Sequence, residues 1–322
     1  MHPLKERNTP IYTVDSVAQP VEHLTFNQRV SGSNPDRITN TCLFLLIRGK
    51  GFFIIDKMIM KFYKYQGAGN DFIIIDNRKS LIKNPDTKTI SKLCDRRFGI
   101  GADGLILLQN SYGYDFEMVY YNADGNLGSM CGNGGRCIAS FAKKLQIEGE
   151  DLRFLAADGE HLAKVIASDY IELKMGEVKD IILSEASCFL NTGSPHYICF
   201  VDNANEIDVF SSGRAIRYSD PYKDKGVNVN FVEIIAENQL KVFTYERGVE
   251  DETLACGTGV TAAALAYFLQ NTEPKAGKHV VDICAKGGNL SVKFNYYNNH
   301  LSDIWLCGPA TYVFEGEIEI SI

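Results

Sequence analysis

Several features that commonly announce a function are missing from this chain of 322 residues. No C-x-x-C occurs among its nine cysteines and no H-x-x-x-H among its six histidines, so neither a disulfide framework nor a zinc ribbon fits. No G-x-x-x-x-G-K-S/T is present, which leaves phosphate chemistry without its usual cradle. The most apolar stretch, Cys42 to Ile47, is cut by Arg48-Gly49-Lys50; it is too short to cross a bilayer and too far from the N-terminus for a signal peptide. A basic excess is also missing. Lys+Arg number 33 against 40 Asp+Glu, a net charge of -7, which argues against nucleic-acid binding. What is present, 45% hydrophobic, 23% charged and 11% aromatic residues, is the composition of a globular protein, and the length suits two domains. Reduced thiols in a cytoplasmic setting are expected, with no membrane association.

Residues 1–59 differ from the rest. They hold four of the nine prolines and show no sustained helical or strand period, whereas a strand pattern begins at Met60. The stretch from Val17-Ala-Gln-Pro to Gly32-Ser-Asn-Pro resembles a translated transfer-RNA gene. The expectation is a mis-assigned start, with Met58 or Met60 as the true first residue; the alternative is a disordered natural extension.

From Met60 onward the chain can be laid on itself. Gly69 in Gly67-Ala-Gly-Asn-Asp-Phe72 matches Gly193 in Thr192-Gly-Ser-Pro-His-Tyr197 at an offset of 124 residues. Gly101-Ala-Asp-Gly104 matches Gly226-Val-Asn-Val-Asn230, and Cys131-Gly-Asn-Gly134 matches Cys256-Gly-Thr-Gly259, both at 125. An offset this long exceeds solenoid periods and predicts two homologous domains. Short strands are expected over 62–65, 72–75, 105–108, 116–121, 163–166, 170–173, 197–201, 230–234 and 240–245. One helix per half opens after each Cys-Gly-x-Gly. In the first, Ile138, Phe141, Ala142 and Leu145 make an amphipathic face; in the second, Thr261 to Leu269 is apolar all round and must be buried on every side. The fold class is therefore α+β: two homologous domains related by duplication, each a mainly antiparallel sheet wrapped around a central helix. The expected limits are 60–175 plus 306–322 for the N-terminal domain and 176–305 for the C-terminal domain.

Gly99-Ile-Gly-Ala-Asp-Gly104 satisfies G-x-G-x-x-G formally, but the residues after it are strand-like rather than helical, so it reads as a turn. The Cys-Gly-x-Gly pair carries more. A thiol at a helix N-terminus meets backbone N–H groups without intrahelical partners, and its pKa is expected to fall toward neutrality there. The following glycines let a carboxylate approach the backbone. Either Cys131 or Cys256 alone reads as a small buried hydrophobe; both at matching points of a duplication read as an acid–base pair. Cys94, Cys137, Cys188, Cys199, Cys284 and Cys307 have no counterpart and read as packing. Asn70, Asn122, Asn228, Glu246 and Arg247 flank the cysteines, with Asn122 and Glu246 at corresponding strand ends. Neutral amides with one Glu–Arg pair suit a zwitterion. His196 reads as an ordinary loop histidine.

On the motifs GAGNDF (67–72), YYNADGNLGSMCGNGGR (120–136), GSPH (193–196), GVNVNF (226–231) and YERGVEDETLACGTG (245–259), residues 60–322 resemble the diaminopimelate epimerases of the pyridoxal-phosphate-independent amino-acid racemase superfamily. The resemblance implies that Cys131 and Cys256 are catalytic thiols and that Asn70, Asn122, Asn228, Glu246 and Arg247 contact the substrate. It also implies that Gly132-Asn133 and Gly257-Thr258 bind the reacting carboxylate through N–H groups. Ser194 departs from the Asn of many relatives, which implies a shorter or water-mediated contact to the distal end of the substrate. The implied reaction is cofactor-free and metal-free epimerisation of LL-diaminopimelate to the meso form, for lysine and peptidoglycan synthesis, by an enzyme that often pairs as a homodimer. The alternatives are a racemase for proline or hydroxyproline, which would share the cysteine pair, and a non-catalytic amino-acid-binding protein of the same fold.

Overall fold

The computed structural model describes residues 40–46, 52–149, 151–184, 187–271 and 273–321. Of the suspected extension, residues 1–39 and 47–51 lie outside the described residues. In the unit formed by residues 1–60 and 318–322, the strand Asn40–Leu46 pairs antiparallel with the strand Phe52–Gly67, Asn40 opposite Met58 and Leu46 opposite Phe52. The sequence reading placed no strand before Met60, because these two short runs lack the alternation by which a half-buried strand is recognised.

Residues 61–317 form a second unit, and it holds both copies of the duplication. In the first copy, Phe52–Gly67 pairs antiparallel with Asn70–Asp76, which pairs parallel with Gly104–Gln109. That strand pairs antiparallel with Phe116–Asn122, and Phe116–Asn122 pairs parallel with Asp151–Ala156. Antiparallel pairing then continues through Gly159–Ala167 to Tyr170–Lys174. The second copy repeats this succession. Ser187–Asn191 pairs antiparallel with Pro195–Phe200, which is parallel to Asn228–Ala236, which is antiparallel to Gln239–Glu246. Gln239–Glu246 is parallel to Gly277–Ala285, followed by antiparallel Gly288–Tyr297 and His300–Pro309. The register repeats too: Phe72 lies opposite Gly104 and Tyr197 opposite Val229, each residue 125 positions from its counterpart.

Among the described residues four α-helices accompany these strands: α1 (Thr87–Cys94), α2 (Gly132–Lys144), α3 (Val209–Arg217) and α4 (Gly257–Asn271). The expected helix after each Cys-Gly-x-Gly is there, as α2 and α4. The reading of one helix per half is corrected by α1 and α3, whose starts were written in plain capping chemistry. Asp86 accepts from Thr89 N at 2.8 Å and Asp208 from Ser211 N at 3.0 Å.

Each central helix is the core of its copy. Cys137, Ile138, Ala139, Phe141 and Ala142 of α2 pack with Phe72, Ile106, Phe116, Phe154 and Leu173. Ala262 to Phe268 of α4 are all buried, against Leu190, Ile198, Val242, Ile283 and Val292. Alanine at 262, 263, 264 and 266 lets sheet strands close on every side of α4. Each fully buried Leu, Ile or Phe in these cores contributes roughly 1.5–3 kcal/mol. The copies are also joined edge to edge: Tyr170–Lys174 pairs antiparallel with His300–Pro309, Leu173 opposite Leu306. Near the loops the fit is tight, since a Cβ on Gly287 would lie 1.9 Å from Ala68 O. We predict that Gly287→Ala lowers the unfolding free energy by about 1–3 kcal/mol, read from urea titration; an unchanged midpoint would show that the two loops do not need this contact.

Candidate active site

Two helix N-termini meet at the centre of the 61–317 unit. Cys131 is the N-cap of α2, and no side chain caps that end; Cys256 immediately precedes α4. The residues that follow them nearly touch. A Cβ on Gly132 would come within 3.9 Å of Gly257 Cα, a Cβ on Gly257 within 3.7 Å of Gly132 Cα, and Leu306 Cδ2 lies against both glycines. A Cβ would still meet the facing glycine at ordinary contact distance; the tight neighbour is Leu306 Cδ2, 2.8 Å from a Cβ on Gly257.

Side-chain amides fix the arrangement. Asn133 Nδ2 donates to Asn70 Oδ1 at 2.5 Å and to Ala255 O at 3.1 Å, so one amide of the first copy holds the residue before Cys256 in the second. Asn70 Nδ2 in turn donates to Asp103 Oδ2 at 3.0 Å. Asp103 shares the Arg96 guanidinium with Asp71, and Asp71 also pairs with Lys64 at 2.8 Å. Arg96 and Lys64 together outweigh burial and hold the Asp71 carboxyl down to about 2.

Cys256 ends a second chain of contacts. Asn230 Nδ2 donates to His196 Nδ1 at 3.1 Å, which leaves Nε2 carrying the proton toward Thr258 Oγ1 at 2.9 Å. The Thr258 hydroxyl is 3.4 Å from Cys256 Sγ, within hydrogen-bond reach of the sulfur. His196 is therefore no ordinary loop histidine. It is wholly buried, and burial together with the nearby Arg247 charge lowers its pKa to about 3, so it stays neutral. The signal in the sequence was Asn230, two residues after Asn228 on the parallel neighbour strand and hence on the same face of the sheet.

The thiols themselves correct the sequence reading. Burial pushes Cys256 up to about 12, aided by the Glu246 charge and opposed by the Thr258 hydroxyl and the Gly259 N–H. Cys131 is also raised, chiefly by desolvation, although its side chain remains partly open to solvent. The N–H groups of Gly134 and Asn133 pull the other way. A helix N-terminus does favour the thiolate, but in a dry site the lost hydration outweighs it. The surroundings of both cysteines thus favour the thiol over the thiolate.

Glu246 and Arg247, expected as a pair, do separate things: among the described residues no ion pair joins them. Glu246 accepts from the Thr253 hydroxyl at 2.9 Å, and burial holds its carboxyl above the usual range. Arg247 is exposed and donates to Lys225 O at 3.0 Å and to Ser194 Oγ at 3.4 Å, while its N–H donates to Asn228 Oδ1 at 2.9 Å. Asn228 Nδ2 donates to Ser194 Oγ at 2.8 Å and Pro195 O at 3.0 Å. Ser194, Asn228 and Arg247 thus form one patch on the second copy. Asn122 and Glu246 do terminate corresponding strands. Asn122, however, is exposed, and among the described residues its side chain makes no hydrogen bond to these clusters. Among the described residues no group of acidic, histidine or cysteine side chains is arranged to hold a metal ion, and no helix is long and apolar enough to cross a membrane.

Solved structures with little sequence identity share this fold. A hydroxyproline epimerase from Agrobacterium vitis superposes with a TM-score of 0.59 at 13% identity, 82% of this chain on 92% of that one. A PhzF-family phenazine biosynthesis protein from Bacillus anthracis gives 0.64 at 14%, 81% on 99%. Sequence narrows the class. The diaminopimelate epimerase family model matches residues 62–181 and 188–313. A diaminopimelate epimerase of Flavobacterium psychrophilum is 52% identical over 80% of this chain and 100% of its own length, and that of Chlorobaculum tepidum 45% over 79% and 99%. The chain belongs to the diaminopimelate epimerase family.

His196 ties the site to acid stability. Its folded pKa of about 3 lies below the ordinary 6.5, so between these values the unfolded chain binds the proton the folded one refuses. The stability is complete above about pH 6.5 and drains away as pH falls toward 3. We predict that His196→Gln reduces the loss of unfolding free energy between pH 7 and pH 4, measured with urea; equal losses in both proteins would contradict it.

Proposed function

We propose that this enzyme converts LL-diaminopimelate to meso-diaminopimelate, a step in lysine and peptidoglycan synthesis, and that Cys131 and Cys256 are its two acid–base groups. The observation that carries the reading is the contact of Gly132 with Gly257, which sets two cysteine-bearing helix ends against one another. Membership of the family supports the substrate. The structural likeness to a hydroxyproline epimerase, at 13% identity, concerns the fold alone and does not favour proline as substrate.

Inverting a carbon next to an amino group and a carboxylate requires removal of a weakly acidic proton from one face and delivery of another to the opposite face. A single group cannot reach both faces of a fixed substrate, so two are needed. In this reading the substrate carboxylate docks on the N–H groups of Gly132, Asn133, Gly257 and Thr258, where two helix dipoles favour the charge that develops as the proton leaves. Glu246, whose charge acts on both thiols, receives the reacting ammonium group. That offsets a negative charge beside the sulfurs and eases ionisation of one of them, the thiol proton passing to solvent water through the side of the site where Cys131 is partly open. The Thr258 hydroxyl then steadies the Cys256 thiolate. The other thiol stays protonated as donor, and the two exchange roles in the reverse direction.

The distal end of the substrate falls to Ser194, Asn228, Arg247 and Asn122. Asn228 and Arg247 already converge on the Ser194 hydroxyl, which leaves its proton for a distal carboxylate. The same reading assigns 60–175 plus 306–322 to one catalytic lobe and 176–305 to the other, with 1–59 outside both. It takes the enzyme to be a cytoplasmic homodimer that uses neither cofactor nor metal.

Cys131→Ala and Cys256→Ala should each lower kcat for diaminopimelate epimerisation by at least about a thousandfold while the protein stays folded. Turnover within about tenfold of the parent in either variant would reject the two-base assignment.

A further inference from the structure

Of the buried charged side chains among the described residues, Lys64 and Glu172 have ion-pair partners and Arg136 has none. Arg136, on the first turn and a half of α2, is wholly inaccessible to solvent, yet no carboxylate among the described residues forms an ion pair with it. Its guanidinium donates to Asn133 Oδ1 at 2.8 Å from Nη2, to Gly132 O at 3.3 Å from Nη1 and to Pro309 O at 3.4 Å from Nε. All three acceptors are neutral. Burying an unpaired guanidinium is expensive, and an arginine stays charged where a lysine would neutralise. The titratable groups that act on it are Cys137, Cys131, Cys307 and Tyr170, and of these only Cys131 stands at the proposed reaction centre.

The contacts give the charge a second consequence. Asn133 can hold its amide in two orientations of nearly equal shape. The Arg136 Nη2 bond requires the oxygen on its side, which turns Nδ2 toward Asn70 Oδ1 and Ala255 O. The link between the two copies therefore depends on the guanidinium fork.

We propose that Arg136 is a positioning residue of the site: its guanidinium balances the Cys131 thiolate from behind and orients Asn133 so that the two cysteine-bearing helix ends keep their spacing. The cation lacks a carboxylate because its counter-charge is transient, present only while Cys131 is ionised. The other groups facing Cys131 are the Asn133 and Gly134 N–H groups of its own helix and Glu246 of the second copy. Tyr120, Cys137 and Cys256 also lie within its field. Among the charged side chains of that set, Arg136 alone favours the thiolate.

The inference rests on the assignment of Cys131 above, and its test is separate from turnover. In Cys256→Ala protein, the pH dependence of iodoacetamide labelling at Cys131, resolved by peptide mass spectrometry, reports thiolate formation directly. Arg136→Gln should raise the apparent pKa by about one unit, a tenfold loss of thiolate at a given pH. Arg136→Lys should fall between Gln and the parent. In protein with both cysteines, Arg136→Lys should lose about tenfold in kcat with little change in KM, because the fork that holds Asn133 is gone. A labelling profile unmoved in folded Arg136→Gln would overturn the proposal. Should that variant fail to fold, Arg136→Lys decides alone: parental labelling together with parental kcat would overturn it. Loss of the Cys131 assignment itself would show differently, as persisting turnover in Cys131→Ala.

Discussion

Two positive helix ends pointed at each other repel, and the structure depends on holding them there. The N-termini of α2 and α4 approach until Gly132 and Gly257 are in contact range, with no side-chain cap on the Cys131 end. What opposes the repulsion is local and neutral: the Asn133 amide across to Ala255 O, Leu306 wedged against both glycines, and the strand pairing of Tyr170–Lys174 with His300–Pro309 behind them. An anion between the ends relieves the repulsion outright. Such a site is prepared for a carboxylate before one arrives, and better still for the extra charge of a carbanion, which is the condition for catalysis by preorganised dipoles.

The same enclosure explains why the thiol form is favoured. Around the buried Cys256 the water that would stabilise a thiolate is largely displaced, and the N–H of Gly259 and the Thr258 hydroxyl recover only part of that loss. A site built this way withholds its base until the substrate alters the local charge, through Glu246 on one side and the carboxylate on the other. The neutral chain Asn230–His196–Thr258 suits that role, because it places a hydroxyl at Cys256 without adding a charge of its own.

Much of the architecture was legible in the sequence because the duplication repeats its glycines and cysteines at fixed distances. The 125-residue offset survives as strand register at Phe72/Gly104 and Tyr197/Val229. The all-apolar run 261–269 was rightly a buried helix. What escaped had weaker local signals. Helices α1 and α3 are short, and their only clear local signal is a capping aspartate, Asp86 and Asp208. His196 looked like a loop residue because Pro195 precedes it, and its partners come from residues 230 and 258. The pKa of a thiol could not be read from its helix position, since the larger effect is burial, which depends on the packed tertiary structure. Arg136 sat within a quoted motif, but its isolation from carboxylates is a property of three dimensions.

The central claim is that separate groups serve the two faces of the α-carbon, and the fate of the transferred hydrogen tests it directly. LL-diaminopimelate is incubated with the enzyme in deuterium oxide and sampled in the first few per cent of conversion. The account predicts that the meso product carries deuterium at the inverted carbon while the remaining substrate carries none, because the proton removed by one thiol is not the one delivered by the other. Product that retains the original hydrogen would mean that one group shuttles it between faces, and would contradict the account.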